Sequence, residues 1–325
     1  ENSNIKAAEP VIVRKLTKGS YDITIDNSSV LESGNEFQIV FTNGDDGETY
    51  VIPAGTFVIN DNNNFKVYPR DIIANLPYNG ETKSFDAKNA LGLAALVNCV
   101  NNGENDFAGF TVTLSEDIDL QGVDFQPIGT ADNKFNGTFD GQGKTISNLK
   151  IENDNMGAMF AYVGANTVIK NFKLENVNIK AKFAAGILSE GNDNVVVEDI
   201  TVSGNVEGDS YAAGIVCLNS YNEDPAVVIK NCVNNATVSG NRSGGIAAWL
   251  TGNSVIENVV NNGNITGTTS AAGITNRIAG SIKNAKNYGT IVGNGSEASA
   301  GIAGTQTAVS TYEYCYNYGN VTTTK

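Results

Sequence analysis

Ala184-Ala185-Gly186-Ile187 returns as Ala212-Ala213-Gly214-Ile215 and Ala271-Ala272-Gly273-Ile274, with Gly244-Gly245-Ile246 and Ser299-Ala300-Gly301-Ile302 as variants. Their glycines, Gly186, Gly214, Gly245, Gly273 and Gly301, lie 28, 31, 28 and 28 residues apart. A second pattern keeps the same beat: Ile169-Lys170-Asn171-Phe172, Val197-Glu198-Asp199-Ile200, Ile229-Lys230-Asn231-Cys232, Ile256-Glu257-Asn258-Val259 and Ile282-Lys283-Asn284-Ala285. Such self-similarity marks a stacked repeat array. No repeat holds a helical period; each holds two or three alternating β-type runs broken by Gly or Asn. The array is therefore a coil of strands alone, a parallel β-helix rising about 4.8 Å per coil.

The Asn positions carry a physical role in that fold. In Ile-x-Asn-Φ the residues two before and one after the Asn are both apolar, which strict alternation forbids. A bend at the Asn, in the left-handed region this residue tolerates, turns both inward. Stacking then places Asn171, Asp199, Asn231, Asn258 and Asn284 in one column whose amides can bond along the axis. A second column runs Leu174, Val202, Asn234, Asn261, Asn287, Asn317. Its switch from apolar to Asn predicts an internal amide ladder in the later coils.

Ala87 to Asn101 is the one clear helical pattern, with Leu91, Leu93, Ala94, Leu96, Val97 and Val100 on an apolar face. It is expected to cap the first coil, which otherwise exposes apolar side chains and strand edges. At the other end, Tyr312, Tyr314, Tyr316 and Tyr318 break the repeat rule. With the bend lost or shifted at Tyr314, some of these rings are expected to fold over the last core layer as a lid.

After the helix come Thr113-Leu-Ser-Glu-Asp-Ile-Asp-Leu120, Pro127-Ile-Gly129 and Phe135-Asn-Gly-Thr-Phe-Asp-Gly-Gln-Gly-Lys-Thr-Ile-Ser-Asn-Leu149. From about Asp86 to Tyr318 the chain resembles bacterial cell-surface right-handed β-helix proteins with GLUG-type repeats, adhesin-like and of the pectin-lyase-like fold. The motifs are fairly specific in the first coils and weaker later, where the family's Gly-Gly-Leu-Val-Gly is replaced by Ala-Ala-Gly-Ile. What the resemblance implies is mostly location and shape: a surface or adhesion-type module.

Residues 1–80 read as a separate unit. Short segments such as Tyr21–Asp26, Phe37–Thr42 and Phe65–Tyr68, punctuated by turn clusters, suggest a small antiparallel β-sandwich, Ig-like or similar. Residues 81–325 then form the β-helix, with its capping helix at about 87–101. The acidic tip Asp45, Asp46, Glu48 could hold calcium but lacks the ligand spacing of a known loop, so no cofactor is expected and calcium is the alternative without a motif behind it.

Composition narrows the chemistry. The chain carries 35 acidic and 21 basic side chains, a net charge of −14, which argues against nucleic-acid partners and anionic lipid. It has no histidine, which removes Ser–His and Cys–His nucleophile pairs and His-ligated metals. Cys99, Cys217, Cys232 and Cys315 have no zinc spacing and are expected to be mostly reduced. No apolar run reaches membrane-spanning length. The start at Glu1 reads as a processed, exported chain, extracellular or at the cell surface (outer membrane), with a lipid anchor as one mode of attachment.

The repeat register places Glu190, Leu218, Trp249, Arg277 and Thr305 in one column with one acid and one base, a poor constellation for a hydrolase or lyase. Trp249, the only tryptophan, is expected to point outward beside Arg277, with Arg242 and Tyr221 of the loop 219–225 near it. These four are the candidate ligand-binding residues; no catalytic or metal residue is assigned. The reading is a monomeric, non-catalytic adhesion-type protein presenting an elongated β-helix to a glycan or host surface protein. A carbohydrate-binding module, and a polysaccharide lyase or glycoside hydrolase on the same fold, are the alternatives.

Overall fold

Phe85, Val112, Phe139, Ile169, Val197, Ile229, Ile256, Ile282 and Tyr312 form one continuous column, each paired in parallel register with the next. In this computed structural model the repeat unit is thus a stacked series of about eight coils, a parallel β-helix as the sequence predicts. The structure describes residues 75–219, 227–306 and 310–323, and the backbone of seven strands before residue 75. Contacts divide the chain into units Glu1–Thr82 and Lys83–Lys325.

Two further inner columns complete the cross-section. One runs Ile118, Ile146, Leu174, Val202, Asn234, Asn261, Asn287, Asn317. The other runs Ile151, Ile179, Val206, Val238, Ile265, Ile291, Val321. Members of all three are buried until the last coil. Because each strand bonds to its counterpart one coil away, backbone polar groups inside the stack are satisfied without covering the outer faces.

The corner between the first two columns is built as the pattern requires. Asn171, Asp199, Asn231, Asn258 and Asn284 have φ of 63°, 56°, 53°, 55° and 52°. Asn231 Nδ2 donates to Asp199 Oδ1 at 2.9 Å, Asn258 Nδ2 to Asn231 Oδ1 at 3.2 Å and Asn284 Nδ2 to Asn258 Oδ1 at 2.8 Å. This column lies on the exposed surface, so its main service is to the backbone turn. The second column is the buried one: Asn234 Nδ2 donates to Asn261 Oδ1 at 2.7 Å, Asn261 Nδ2 to Asn287 Oδ1 at 2.6 Å and Asn287 Nδ2 to Asn317 Oδ1 at 2.7 Å. Each Nδ2 also donates to the carbonyl two residues on, at Ala236, Gly263, Gly289 and Gly319. The predicted ladder is present.

The helix spans Ala90–Asn101, starting three residues later than the pattern suggested because Asn89 is its N-cap and accepts from Gly92 N at 3.1 Å. Leu93, Leu96, Val97, Cys99 and Val100 are buried, whereas Leu91 is 64% exposed and lies off the buried face. Asn101 ties the helix to the first coil, donating to Pro127 O at 3.0 Å and accepting from Gly129 N at 2.7 Å. The early core is aromatic. Phe85 meets Phe107 and Phe110 edge-on at 5.1 and 5.5 Å, and Phe139 meets Phe160 and Phe172, each at 5.4 Å.

The tyrosine lid is not formed. Tyr314 keeps the left-handed bend, with φ 52°, so the alternation on either side continues: Tyr312 takes the inner-column position after Ile282, whereas Tyr316 takes the outward position after Lys286. Tyr312, Tyr314, Tyr316 and Tyr318 are 37%, 68%, 47% and 61% exposed, and Tyr318 stacks on Tyr288 of the preceding coil at 4.9 Å. None of the four cysteines is in a disulfide. Burial pushes the Cys232 thiol up to about 12 and the Cys217 thiol upward as well.

In the first unit Ile12–Leu16 runs parallel to Ile39–Asn43, which is antiparallel to Thr49–Ile52. Asn4–Ile5 is parallel to Thr24–Ile25, and Phe57–Asp61 with Asn64–Tyr68 is an antiparallel hairpin. Pairing among these strands is both parallel and antiparallel.

Candidate functional site

The Ala-Ala-Gly-Ile turn is an inward pinch. A Cβ on Gly214 would sit 2.3 Å from Cγ of Asn234, on Gly245 2.5 Å from that of Asn261 and on Gly273 2.4 Å from that of Asn287. Only glycine lets the turn press this closely on the amide ladder. The chain enters and leaves each turn as two walls. One carries the column Phe183, Tyr211, Arg242, Ser270; the other carries Tyr162, Glu190, Leu218, Trp249, Arg277, Thr305. The walls touch across six residues, as where Asn276 Nδ2 donates to Ser270 Oγ at 2.9 Å and Ser189 Oγ to Phe183 O at 3.4 Å.

Between the walls lies a small apolar cluster of Ala158, Ala185, Ala213, Cys217, Leu218 and Ala248. Phe183, Tyr211 and Trp249 pack over it, half-buried. Phe183 and Tyr211 stack at 6.0 Å with an interplanar angle of 11°, and Tyr211 meets Trp249 at 5.5 Å. This is a short aromatic row along the coil axis, one ring per coil. Arg277 lies 5.0 Å over the Trp249 ring and Arg242 5.8 Å over the Tyr211 ring. Glu297 joins the two cations. Arg242 donates to it through Nε (2.9 Å) and the terminal nitrogen, and Arg277 donates to its Oε2 at 3.0 Å. The two guanidinium groups hold the Glu297 carboxyl down at about 2, Arg242 having the larger effect.

Of the candidates named from sequence, Trp249, Arg277 and Arg242 come together, and Tyr221 lies outside the described residues. Trp249 is less outward than expected, because Tyr211 and Arg277 cover part of its ring. Sequence reasoning missed Glu297, 55 residues beyond Arg242. It also missed Phe183 and Tyr211, although both stand at the same offset before an Ala-Gly-Ile or Ala-Ala-Gly-Ile turn.

The acids behave as structural groups or stand alone. Asp117 Oδ1 accepts from Thr145 N at 2.8 Å and Asp119 Oδ1 from Asn148 Nδ2 at 2.7 Å, tying neighbouring coils. Asp140 accepts from Gln142 N at 2.9 Å in the left-handed turn at Gln142. Glu190, on the groove wall, has its carboxyl raised by burial, with Lys134 opposing. An open cleft of about 380 Å³ near the first coils is lined in part by Asp124, Lys150 and Glu152. Among the described residues no group of three or more acidic or thiol side chains is placed to hold a metal. The Asp45–Glu48 tip lies outside the described residues. Among the described residues no helix is long and apolar enough to cross a membrane.

No family model matches the chain. Over 99 residues it is 33% identical to Halomucin of Haloquadratum walsbyi, a match covering 29% of this chain and 1% of that protein. The chain thus spans only a very small part of that curated relative. Among solved structures it is similar to a candidate immunoglobulin A1 protease from Bacteroides ovatus, with a TM-score of 0.62 and 25% identity over 72% of this chain and 74% of the other. That likeness supports the β-helix reached from the repeat register.

Proposed function

We propose that this chain is a non-catalytic, adhesion-type β-helix of the cell exterior, of the GLUG-like kind, whose pinched groove holds a glycan. The observation that carries the reading is the half-exposed row Phe183, Tyr211, Trp249 with arginines laid on two of its rings. Flat rings offer large contact area at small entropic cost and suit the C–H faces of sugars. The rise of about 4.8 Å per coil is close to the length of one pyranose unit, so a linear glycan along the groove meets one wall residue from each coil. No cofactor takes part in this reading.

A glycan-array comparison of the wild type with Trp249→Ala tests it. The expected result is a defined glycan set bound by the wild type and weakened at least tenfold by the substitution, with an unchanged melting profile. Equal binding by the two proteins removes the groove from the site. The catalytic alternative rests on the Asp124–Glu152 cleft. Release of reducing ends from a bound polysaccharide, lost in Asp124→Asn or Glu152→Gln, would replace the adhesion reading.

A further inference from the structure

We infer that Arg242 and Arg277 form a receptor for the carboxylate of an acidic saccharide, and that Glu297 fills this receptor when no ligand is bound. The inference rests on the glycan reading of the groove and names its ligand class. Two guanidinium groups converge on one carboxylate: Arg242 by a two-nitrogen fork, Arg277 through a single terminal nitrogen. A fork of this kind matches a planar carboxylate and is the usual recognition geometry for one. The local balance is two cations to one anion, on a chain whose overall charge is −14. The receptor is therefore a positive spot on a negative molecule.

The arginines have supports besides Glu297. Arg277 lies on the Trp249 ring and Arg242 on the Tyr211 ring, and their side chains are only 20% and 26% exposed. Removing the carboxylate takes away one partner of each cation and leaves the aromatic contact of each.

Glu297, by contrast, is a replaceable occupant. It sits in the short connection after Ile291–Gly293, where Asn294 N bonds Gly267 O at 2.9 Å and Ala300 N bonds Ala271 O at 3.0 Å. Glu297 N itself bonds Thr269 O at 3.3 Å, so the connection stays in register while the side chain, whose Oε2 also accepts from Ser270 Oγ at 3.4 Å, rotates out. An incoming carboxylate would make the same charge-assisted bonds, and its sugar ring would lie along the aromatic row beside Tyr211. The tethered Glu297 competes at a high effective concentration, so it lowers the affinity of the intact protein for acids.

The test is calorimetric titration of the full chain with 3′-sialyllactose, with lactose as the neutral counterpart and an N-acetylated Glu-Gly-Glu peptide as the non-sugar acid. In Glu297→Gln the affinity for sialyllactose is expected to rise at least tenfold while that for lactose is unchanged. Adding Arg277→Gln should abolish the gain. In the wild type, sialyllactose and not lactose should shift the arginine side-chain Nε–H NMR signals, a readout independent of whether the Glu297→Gln variant folds. No gain in Glu297→Gln together with unshifted arginine signals overturns the inference. If in that case neutral glycans still bind and Trp249→Ala still releases them, the groove reading stands and only the acid receptor falls. Binding of the peptide as tight as that of sialyllactose overturns the saccharide assignment. Loss of all glycan binding on the array, acidic or neutral, counts against the groove reading itself.

Discussion

The first four coils and the last four solve the same packing problem with opposite chemistry. Early coils fill the interior with Phe107, Phe135, Phe139, Phe160 and Phe172, ring against ring, and line the second inner column with Ile118, Ile146, Leu174 and Val202. Later coils have no phenylalanine inside, and that column becomes Asn234, Asn261, Asn287 and Asn317. Apolar side chains are indifferent to small axial slips. Amides are not, because each has one acceptor and donors that must meet partners one coil away. The early half is held by volume, the later half by register.

The largest expected effect tests the first half of that contrast. Phe139→Ala removes a fully buried ring with two edge-on aromatic partners and should cost about 3–5 kcal/mol in urea denaturation. Asn261→Leu comes next, at about 2–4 kcal/mol. It keeps the branched shape, adds the bulk of two methyls, and removes one partner each from Asn234 Nδ2, Asn287 Oδ1 and the Gly263 carbonyl. A cost below about 1 kcal/mol would mean that the ladder acts only as filler. Asn258→Val should cost about 1–2 kcal/mol, because a β-branched residue is strained at φ 55°. The amides lost there are exposed, so the backbone carries most of that effect.

A smaller effect is tied to pH. The Glu297 carboxyl is held at about 2 against an ordinary 4.5, so the folded form favours its ionised state. Its contribution is complete above about 4.5 and disappears as pH falls toward 2. Glu297→Gln should flatten that part of the acid limb in melting experiments and leave neutral pH little changed beyond the lost ion pairs. The smallest effect has the opposite sign. Tyr314 occupies the Asn position of the bend with φ 52°, so Tyr314→Asn should stabilise the last coil by about 0.5–1 kcal/mol, read as slower hydrogen exchange at Tyr312–Tyr316.

The coil register was legible because Asn171, Asp199, Asn231, Asn258 and Asn284 each mark a backbone conformation that few residues adopt. The amide ladder could be read for a related reason: an Asn in an apolar column has to find partners along it. The groove was half legible. Trp249 and Arg277 share a column, whereas Glu297 belongs to no column and reaches Arg242 only through the course of a connection. Tyr314 shows the converse limit. Stacking on five bends imposed the sixth on a residue that does not favour it, so local preference pointed the wrong way.

From Asn171 to Leu174, Asp199 to Val202, Asn231 to Asn234, Asn258 to Asn261, Asn284 to Asn287 and Tyr314 to Asn317 the separation is always three residues. The pinch turn is equally constant, with Phe183 and Glu190, Tyr211 and Leu218, Arg242 and Trp249, and Ser270 and Arg277 each seven residues apart; the surplus falls at bulges such as those between Leu250 and Ser254 or Gly208 and Tyr211. These two arcs are rulers and the stretches that carry the bulges are slack. Insertions and deletions in such a chain are therefore confined to the slack arcs. Lengthening of the molecule proceeds by duplicating whole turns, each copied with its own pair of marks on each ruler.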